Sequence, residues 1–139
     1  ICDLHLRWDP DKYGFLPDIK ARYENWLPER AADPMSVFLV GETSSPASPQ
    51  LVGFIVGSTE EEIPIYRVAR YGFIHDTWVQ PEFRSRGIAR RLAAAAVEQF
   101  RAIGVPQVRL DTAAANEAAR RVFGSLGFRV SASEMLLAL

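Results

Sequence analysis

The chain has 139 residues, of which 48% are hydrophobic and 24% are charged, as in a folded protein of one domain. Its one cysteine excludes an internal disulfide framework and a cysteine-based zinc cluster, and His5 and His75 are too far apart for a His-x-x-x-His metal pair. No apolar run is long enough to span a bilayer. We therefore expect one cytoplasmic domain over residues 1–139, with no metal and no membrane partner.

The net charge of −1 is unevenly distributed along the chain. Residues 1–66 contain 11 acidic and 5 basic side chains, whereas residues 67–139 contain 6 acidic side chains and 11 basic ones, all arginine. Because arginine forms bidentate contacts with phosphate, an anionic ligand is expected on the C-terminal half and a cationic one on the N-terminal half. No basic run is interleaved with aromatic residues, which argues against a nucleic-acid partner.

The first half of the chain predicts a helix followed by a hairpin. Apolar residues spaced by three and four indicate an amphipathic helix over residues 16–30. Short β-branched and aromatic runs at 37–40 and 51–56 predict two antiparallel strands, joined by a Ser/Pro-rich loop over 44–49. The first residues resemble the later part of an element, so further residues are expected upstream of Ile1.

An acidic loop and a third strand are predicted next. The loop contains Glu60 to Glu62, which we interpret as solvated side chains rather than a polyamine site. Alternation over 71–79 predicts the strand. Four aromatic residues of the N-terminal part are assigned to core packing in preference to a substrate pocket: Tyr13, Phe15, Tyr23 and Trp26.

The second half predicts two helices with strands between and after them. An apolar stripe over 88–103 indicates a helix that Gly104 ends, and 108–110 reads as a brief strand. Asn116 is placed to cap a second helix, which Gly127 would end. Closing strands are predicted at the positions 128–130 and 135–139. This order indicates an α+β (mixed α/β) domain with one central sheet.

The connection between the third strand and the long helix contains residues typical of an anion-binding site. The first turn of a helix has N–H groups without intrahelical partners, and the helix dipole is positive there. Gly87 adds no side chain that would hold a phosphate away from the backbone, and three arginines surround it: Arg84, Arg86 and Arg90. The pattern indicates a pyrophosphate site. It lacks the lysine of a P-loop and the three glycines of a dinucleotide fingerprint.

Two linked motifs resemble those of the GNAT N-acetyltransferase superfamily. The first is its acyl-CoA loop, an Arg/Gln-x-x-Gly-x-Gly/Ala pattern after a Val-x-Pro strand end, here Val79-x-Pro81 followed by Arg84-x-x-Gly87-x-Ala89. The second is its Asn-x-x-Ala-x-x-x-Tyr-x-x-x-Gly-Phe signature, here Asn116-x-x-Ala119-x-x-x-Phe123-x-x-x-Gly127-Phe128. The resemblance covers residues 73–130 and is diffuse before them, and it implies a first strand upstream of Ile1.

The resemblance implies a GNAT-like acyl-CoA N-acyltransferase fold and acetyl-CoA as the co-substrate. The fold would be a mostly antiparallel sheet flanked by helices and splayed between the strands at 73–79 and 107–111, with pantetheine in the splay. The implied cofactor-binding residues are Trp78, Val79, Arg84, Ser85, Arg86, Gly87, Ile88, Ala89, Arg90, Asn116 and Phe123.

The resemblance also implies catalytic residues on the strand that leads into the loop. His75 stands where relatives place Glu or His, and its titration range suits a general base. A structural histidine is the alternative. Asp76 is expected on the opposite face of the strand by alternation, where it would take part in catalysis or fix a loop. The family's general-acid tyrosine is Phe123 here, so the source of an acid stays open.

The implied activity is acetyl transfer from acetyl-CoA to a primary amine, of a small molecule in the first instance. Two alternatives remain open: acetylation of a protein N-terminus or lysine, and a non-catalytic acyl-CoA-binding module, which Phe123 favours. Relatives commonly form homodimers, so a homodimer is a further expectation.

Overall fold

A four-stranded mixed sheet lies at the centre of the computed structural model, which describes residues 2–43 and 48–139. The described helices are α1 (Cys2–Trp8), α2 (Ile19–Ala32), α3 (Ile88–Ile103) and α4 (Glu117–Gly124). The described strands are β1 (Ser36–Glu42), β2 (Leu51–Glu61), β3 (Arg70–Val79) and β4 (Val108–Leu110). Their order in the sheet is β1-β2-β3-β4, antiparallel up to β3 and parallel between β3 and β4. The predicted mostly antiparallel sheet flanked by helices is confirmed.

The hydrophobic core lies between the sheet and α3. Phe100 on α3 is fully buried, together with Val37 and Ile55 on the strands beneath it. Two strand glycines make this close approach possible, since a Cβ at Gly72 would lie 2.6 Å from Phe100 Cδ1 and one at Gly57 would lie 2.9 Å from its Cζ. The positions of these glycines therefore determine where α3 rests on the sheet.

The sheet opens between β3 and β4. Pairing between them runs from Gly72 opposite Val108 to Ile74 opposite Leu110 and stops there, although β3 continues to Val79. The last five residues of β3 therefore have no strand beside them on that side. This opening is the splay that the family resemblance implies.

A β-bulge interrupts β3 at the start of the splay. On β2, Gly57 pairs with Ile74 and Val56 pairs with Asp76, so His75 is an extra residue between them. An extra residue removes the alternation of faces. The prediction that His75 and Asp76 face opposite sides is therefore wrong, because both side chains contact residues of α2.

Three further predictions differ from the structure. Residues 128–139, all of them described, form no strand, so both predicted closing strands are wrong; Met135 and Leu137 are 95% and 83% exposed. The second of the two C-terminal helices ends at Gly124, and Gly127 follows it in a left-handed turn with φ 91°. The predicted acidic loop is partly a strand, because Glu60 and Glu61 belong to β2.

The predicted hairpin is confirmed by the antiparallel pairing of β1 and β2. Of the loop predicted over 44–49, residues 44–47 lie outside the described residues. Across the described part of the chain, no helix has the length and apolar character needed to cross a bilayer.

Candidate active site

The splay between β3 and β4 forms a cleft of about 100 Å³. The end of β3 forms one wall, residues 110–113 after β4 form the second, and α4 contributes Asn116, Ala119 and Phe123. From the N-terminal part, Leu4, His5, Trp8 and Tyr13 line the same cleft. The cleft thus brings together the end of β3, the second motif and side chains from the beginning of the chain.

The N-terminus of α3 lies beyond the end of β3 and presents its N–H groups to open space. Gly87 is the N-cap residue, with φ 74° and no side-chain hydrogen bond, and a Cβ there would meet nothing within 4 Å. Among the described residues, Ser85 is the one non-glycine with positive φ, at 60°. The first turn of α3 has N–H groups without intrahelical partners beside this open space, which is the backbone feature of an anion site.

The three predicted arginines lie around this loop, and each makes one contact within the protein. Arg84 Nε donates to the carbonyl oxygen of Val79 at 2.9 Å and ties the loop to the end of β3. Arg86 lies over the ring of Phe83, and Arg90 Nε donates to Ser125 Oγ at 3.3 Å. All three remain exposed, so their charge is available to an anion at the loop.

The other predicted cofactor-binding residues lie either against the hydrophobic core or at α4. Ile88 and Ala89 pack against the hydrophobic core, so the small size of Ala89 also has a packing reason. Asn116 caps α4 as predicted, because its Oδ1 accepts from the Ala119 N–H at 3.1 Å. Phe123 is 7% exposed and packs edge-on against Phe128, and no hydroxyl stands at that position.

His75 lies in a half-buried cluster on the α2 face of the sheet. Its Nε2 is 2.6 Å from Ser58 Oγ, and its ring packs against Trp26 and Phe73. Burial lowers the pKa of His75 below 6.5, and the nearby carboxylates of Glu60 and Asp76 oppose this effect only in part. The imidazole is therefore neutral near pH 7, the state that a general base requires.

Asp76 is 8% exposed and accepts a hydrogen bond from the hydroxyl of Tyr23 on α2. Burial, followed by the bond to Asp76, raises the pKa of Tyr23, so its hydroxyl stays protonated and continues to donate. The pair joins α2 to the edge of the splay and places a negative charge at the cleft.

Sequence reasoning missed several neighbours of the predicted catalytic pair. Tyr23 and Trp26 contact Asp76 and His75, and Tyr13 lines the cleft beside His5, instead of packing into the core beneath α3. His5 stacks on Tyr13, and burial lowers the pKa of His5. Spacings of three and four place Tyr23 and Trp26 on the predicted helix without telling which surface its apolar face meets, so the sequence did not decide between the core and a substrate pocket.

The acidic segment is likewise more structured than predicted. Glu62 Oε2 accepts from Arg109 Nη1 at 2.6 Å, and this pairing lowers the pKa of Glu62. Glu60 Oε1 accepts from Ser58 Oγ at 2.5 Å beside His75. The interpretation of these glutamates as merely solvated is wrong for both.

Comparison with known proteins gives the family. The sequence model of the acetyltransferase (GNAT) family matches residues 2–128. The chain belongs to the GNAT acetyltransferase family. Mycothiol acetyltransferase of Nocardia farcinica is 30% identical to this GNAT chain over 125 residues, which are 87% of the chain and 37% of that relative. The chain thus spans well under half the length of that curated protein.

Solved structures share the fold of this GNAT protein. A mutant protein of Bacillus halodurans matches with a TM-score of 0.77 and 20% identity, covering 99% of this chain and 86% of its own. The enzyme AAC(6')-Iy, in complex with a bisubstrate analogue, CoA-S-monomethyl-acetylneamine, matches with a TM-score of 0.71 and 20% identity, covering 99% and 88%. At these identities the likeness concerns the fold.

Proposed function

We propose that this GNAT protein transfers the acetyl group of acetyl-CoA to the primary amine of a small molecule by direct attack of the amine on the thioester. The observation that carries the proposal is the continuity of two features: a cleft that opens beside the unpaired end of β3, and a glycine-capped helix N-terminus just beyond that end. A long ligand with an anionic end and a reactive end fits such a pair of neighbouring sites.

The residues present fit the cofactor. The open space above Gly87 accommodates a pyrophosphate on the N–H groups of residues 84–90, with Arg84, Arg86 and Arg90 around it. Trp78 and Val79 would pair with the amide groups of pantetheine, because the sheet edge there has no partner strand. Asn116 and Phe123 would form the opposite wall.

In this proposal His75 removes a proton from the acceptor amine, and the cleft holds the amine against the thioester. Proximity in a confined cleft supplies much of the rate, and the neutral imidazole supplies a base at the start of the splay. Asp76, held by Tyr23 through one oxygen, would orient the acceptor with the lone pairs that Tyr23 leaves free.

The charge of the cleft supports an amine acceptor. Asp76 and Asp111 line it, and carboxylates attract an ammonium group. The Nocardia relative is a mycothiol acetyltransferase, and AAC(6')-Iy is in complex with the bisubstrate analogue CoA-S-monomethyl-acetylneamine, which favours a small molecule over a protein acceptor. A cytoplasmic place of action is part of the proposal, since the chain has one cysteine and forms no internal disulfide.

A non-catalytic acyl-CoA-binding module is the second candidate, and Phe123 favours it. The ring brings no hydroxyl to the cleft, so no side chain at that position protonates a departing thiolate. Water protonates a thiolate readily, however, and Tyr13 also lines the cleft. The absence of a hydroxyl at this one position does not prevent turnover.

A single assay separates the candidates. The purified protein is mixed with acetyl-CoA and either amino sugars, aminoglycosides, polyamines or lysine-containing peptides, and the free thiol of CoA is followed with a colorimetric reagent. Thiol release that depends on a small amine supports the proposal. CoA binding by calorimetry without release for any amine would favour the binding module, and release with peptides alone would favour a protein acceptor.

A further inference from the structure

Ser58 connects His75 to a carboxylate. Its hydroxyl oxygen lies 2.6 Å from His75 Nε2 and 2.5 Å from Glu60 Oε1, and the residue is 3% exposed. Glu60 Oε1 is 3.6 Å from the same His75 nitrogen, too far for a direct hydrogen bond. The three side chains therefore form a bent hydrogen-bonded chain in which the serine links the ring to the carboxylate.

The donors and acceptors of this hydrogen-bonded chain determine where its protons lie. An ionised carboxylate accepts hydrogen bonds and donates none, so the single proton of the Ser58 hydroxyl points to Glu60. The serine oxygen is then left to accept, and its remaining partner is His75 Nε2, which must carry a hydrogen. The lone pair of the neutral imidazole is consequently on Nδ1.

We propose that Ser58 and Glu60 are positioning residues for His75, holding its Nε2–H tautomer and stabilising the imidazolium that forms when Nδ1 takes the proton of the acceptor amine. The inference rests on the proposed function, since it assigns a role in that reaction. An N–H bond of the acceptor's ammonium group breaks, an Nδ1–H bond forms, and the electron pair left on the nitrogen attacks the thioester carbon. The C–S bond then breaks, CoA leaves as a thiolate, and the thiolate takes a second proton from the acceptor nitrogen through water. The imidazolium then returns the proton to water. The positive charge on the ring exists only during this step, and Glu60 stabilises that charge through the serine.

The other charged groups near His75 do not replace Glu60. Asp76, its neighbour on β3, is engaged by Tyr23 and also faces His5 of α1. Arg30 of α2 acts in the opposite direction and lowers the pKa of His75. Glu60 is the carboxylate that connects to the ring through a hydrogen-bonded chain.

Glu60→Gln is the informative variant, because it keeps the size and the acceptor oxygen and removes the charge. The midpoint of the rising acid limb of kcat/KM should fall by about half a pH unit or more, since a carboxylate that raises the pKa of His75 is gone. The turnover should fall by up to about threefold for each half unit lost from the pKa, because a weaker base has less driving force. The KM for acetyl-CoA should not change.

Glu61→Gln is the matched control, since it removes the same charge from the exposed next residue of β2. It should leave the midpoint and the turnover unchanged. Ser58→Ala removes the acceptor of the Nε2–H and should weaken the preference for that tautomer, while the charge of Glu60 stays near the ring. NMR of the ring nitrogens of His75 gives a second readout that needs no turnover, and the neutral ring of the unaltered protein should carry its hydrogen on Nε2.

Two results would overturn the inference: a neutral His75 with its hydrogen on Nδ1, or equal pH midpoints in Glu60→Gln and Glu61→Gln. A failure of the proposed function looks different, because the unaltered protein would then release no CoA with any amine. In that case the NMR titration of Glu60→Gln would still test the contact between the glutamate and the ring, and the catalytic role would be overturned with the function.

Discussion

The two sides of the cleft are built in different ways. On the cofactor side, which comprises the end of β3, the loop up to Gly87 and the start of α3, the geometry is a property of the backbone, and Arg84 contacts the carbonyl of Val79 only five residues away. On the acceptor side, which comprises α1, α2 and the adjoining face of β2 and β3, the geometry is made by side chains. Tyr23 contacts Asp76 across 53 positions, and Ser58 contacts His75 across 17.

The difference determines what each side tolerates. A site made of N–H groups depends on one glycine with positive φ and is indifferent to most neighbouring side chains. A site made of side chains depends on the helices that position them, so its shape changes with any residue on those helices. We therefore expect substitutions on the cofactor side to change CoA affinity and substitutions on the acceptor side to change turnover.

The largest expected effect is on the acceptor side, at His75. His75→Ala should lower the turnover by roughly 100-fold or more while calorimetry shows unchanged affinity for acetyl-CoA. The base acts when neutral, and burial lowers the pKa of His75 below 6.5, so the native rate should rise with pH and level off at or below neutrality. The variant should lose this limb. Full turnover with the same pH profile would make His75 a structural residue.

On the cofactor side, Gly87→Ala should weaken CoA binding at least about tenfold, or 1.4 kcal/mol. The new Cβ would project into the open space above the N–H groups, and φ 74° is unfavourable for alanine. Gly104→Ala is a matched control, since Gly104 has φ 90° with equally open surroundings at the other end of α3. Both variants should lose stability, and only the first should lose CoA affinity. Equal affinities would place the phosphate elsewhere.

Asn116 lies where the two sides meet, and its replacement should have a smaller effect. Asn116→Ala removes the cap of α4 and should cost about 1 kcal/mol of unfolding free energy. CoA affinity should fall about fivefold as well, because the residue lines the cleft. Asn116→Ser keeps a capping oxygen and should recover most of the stability without recovering the affinity. A destabilised alanine variant with native affinity would limit Asn116 to capping.

The smallest expected change is a gain. Phe123→Tyr restores a hydroxyl on the wall of the cleft and should raise the turnover up to a few-fold if departure of the thiolate limits the rate. Phe128→Tyr is the control, because the same oxygen is added to the ring that packs against Phe123, outside the lining of the cleft. Measured side by side, equal rates in the two variants would show that an acid at position 123 contributes nothing.

The sequence by itself determined the cofactor side. Val79, Gly87, Asn116 and the helix periodicity between them lie in consecutive elements, and glycine, capping and period-3.6 signals are local properties that a chain expresses wherever it folds. The order of strands and helices and the splay followed from the same stretch through the family resemblance. The two closing strands failed because an apolar run states only that a segment is able to pair, and residues 128–139 pair with none of the described strands.

Only the tertiary structure decided the acceptor side. A single extra residue in β3 turned His75 and Asp76 to the same face, and strand alternation, read from the sequence, predicted the opposite. The bulge depends on how β2 and β3 pair, and the partners of both side chains come from α2 and β2. Contacts between residues so far apart in the chain are chosen by packing of whole elements, which no local pattern of residues contains.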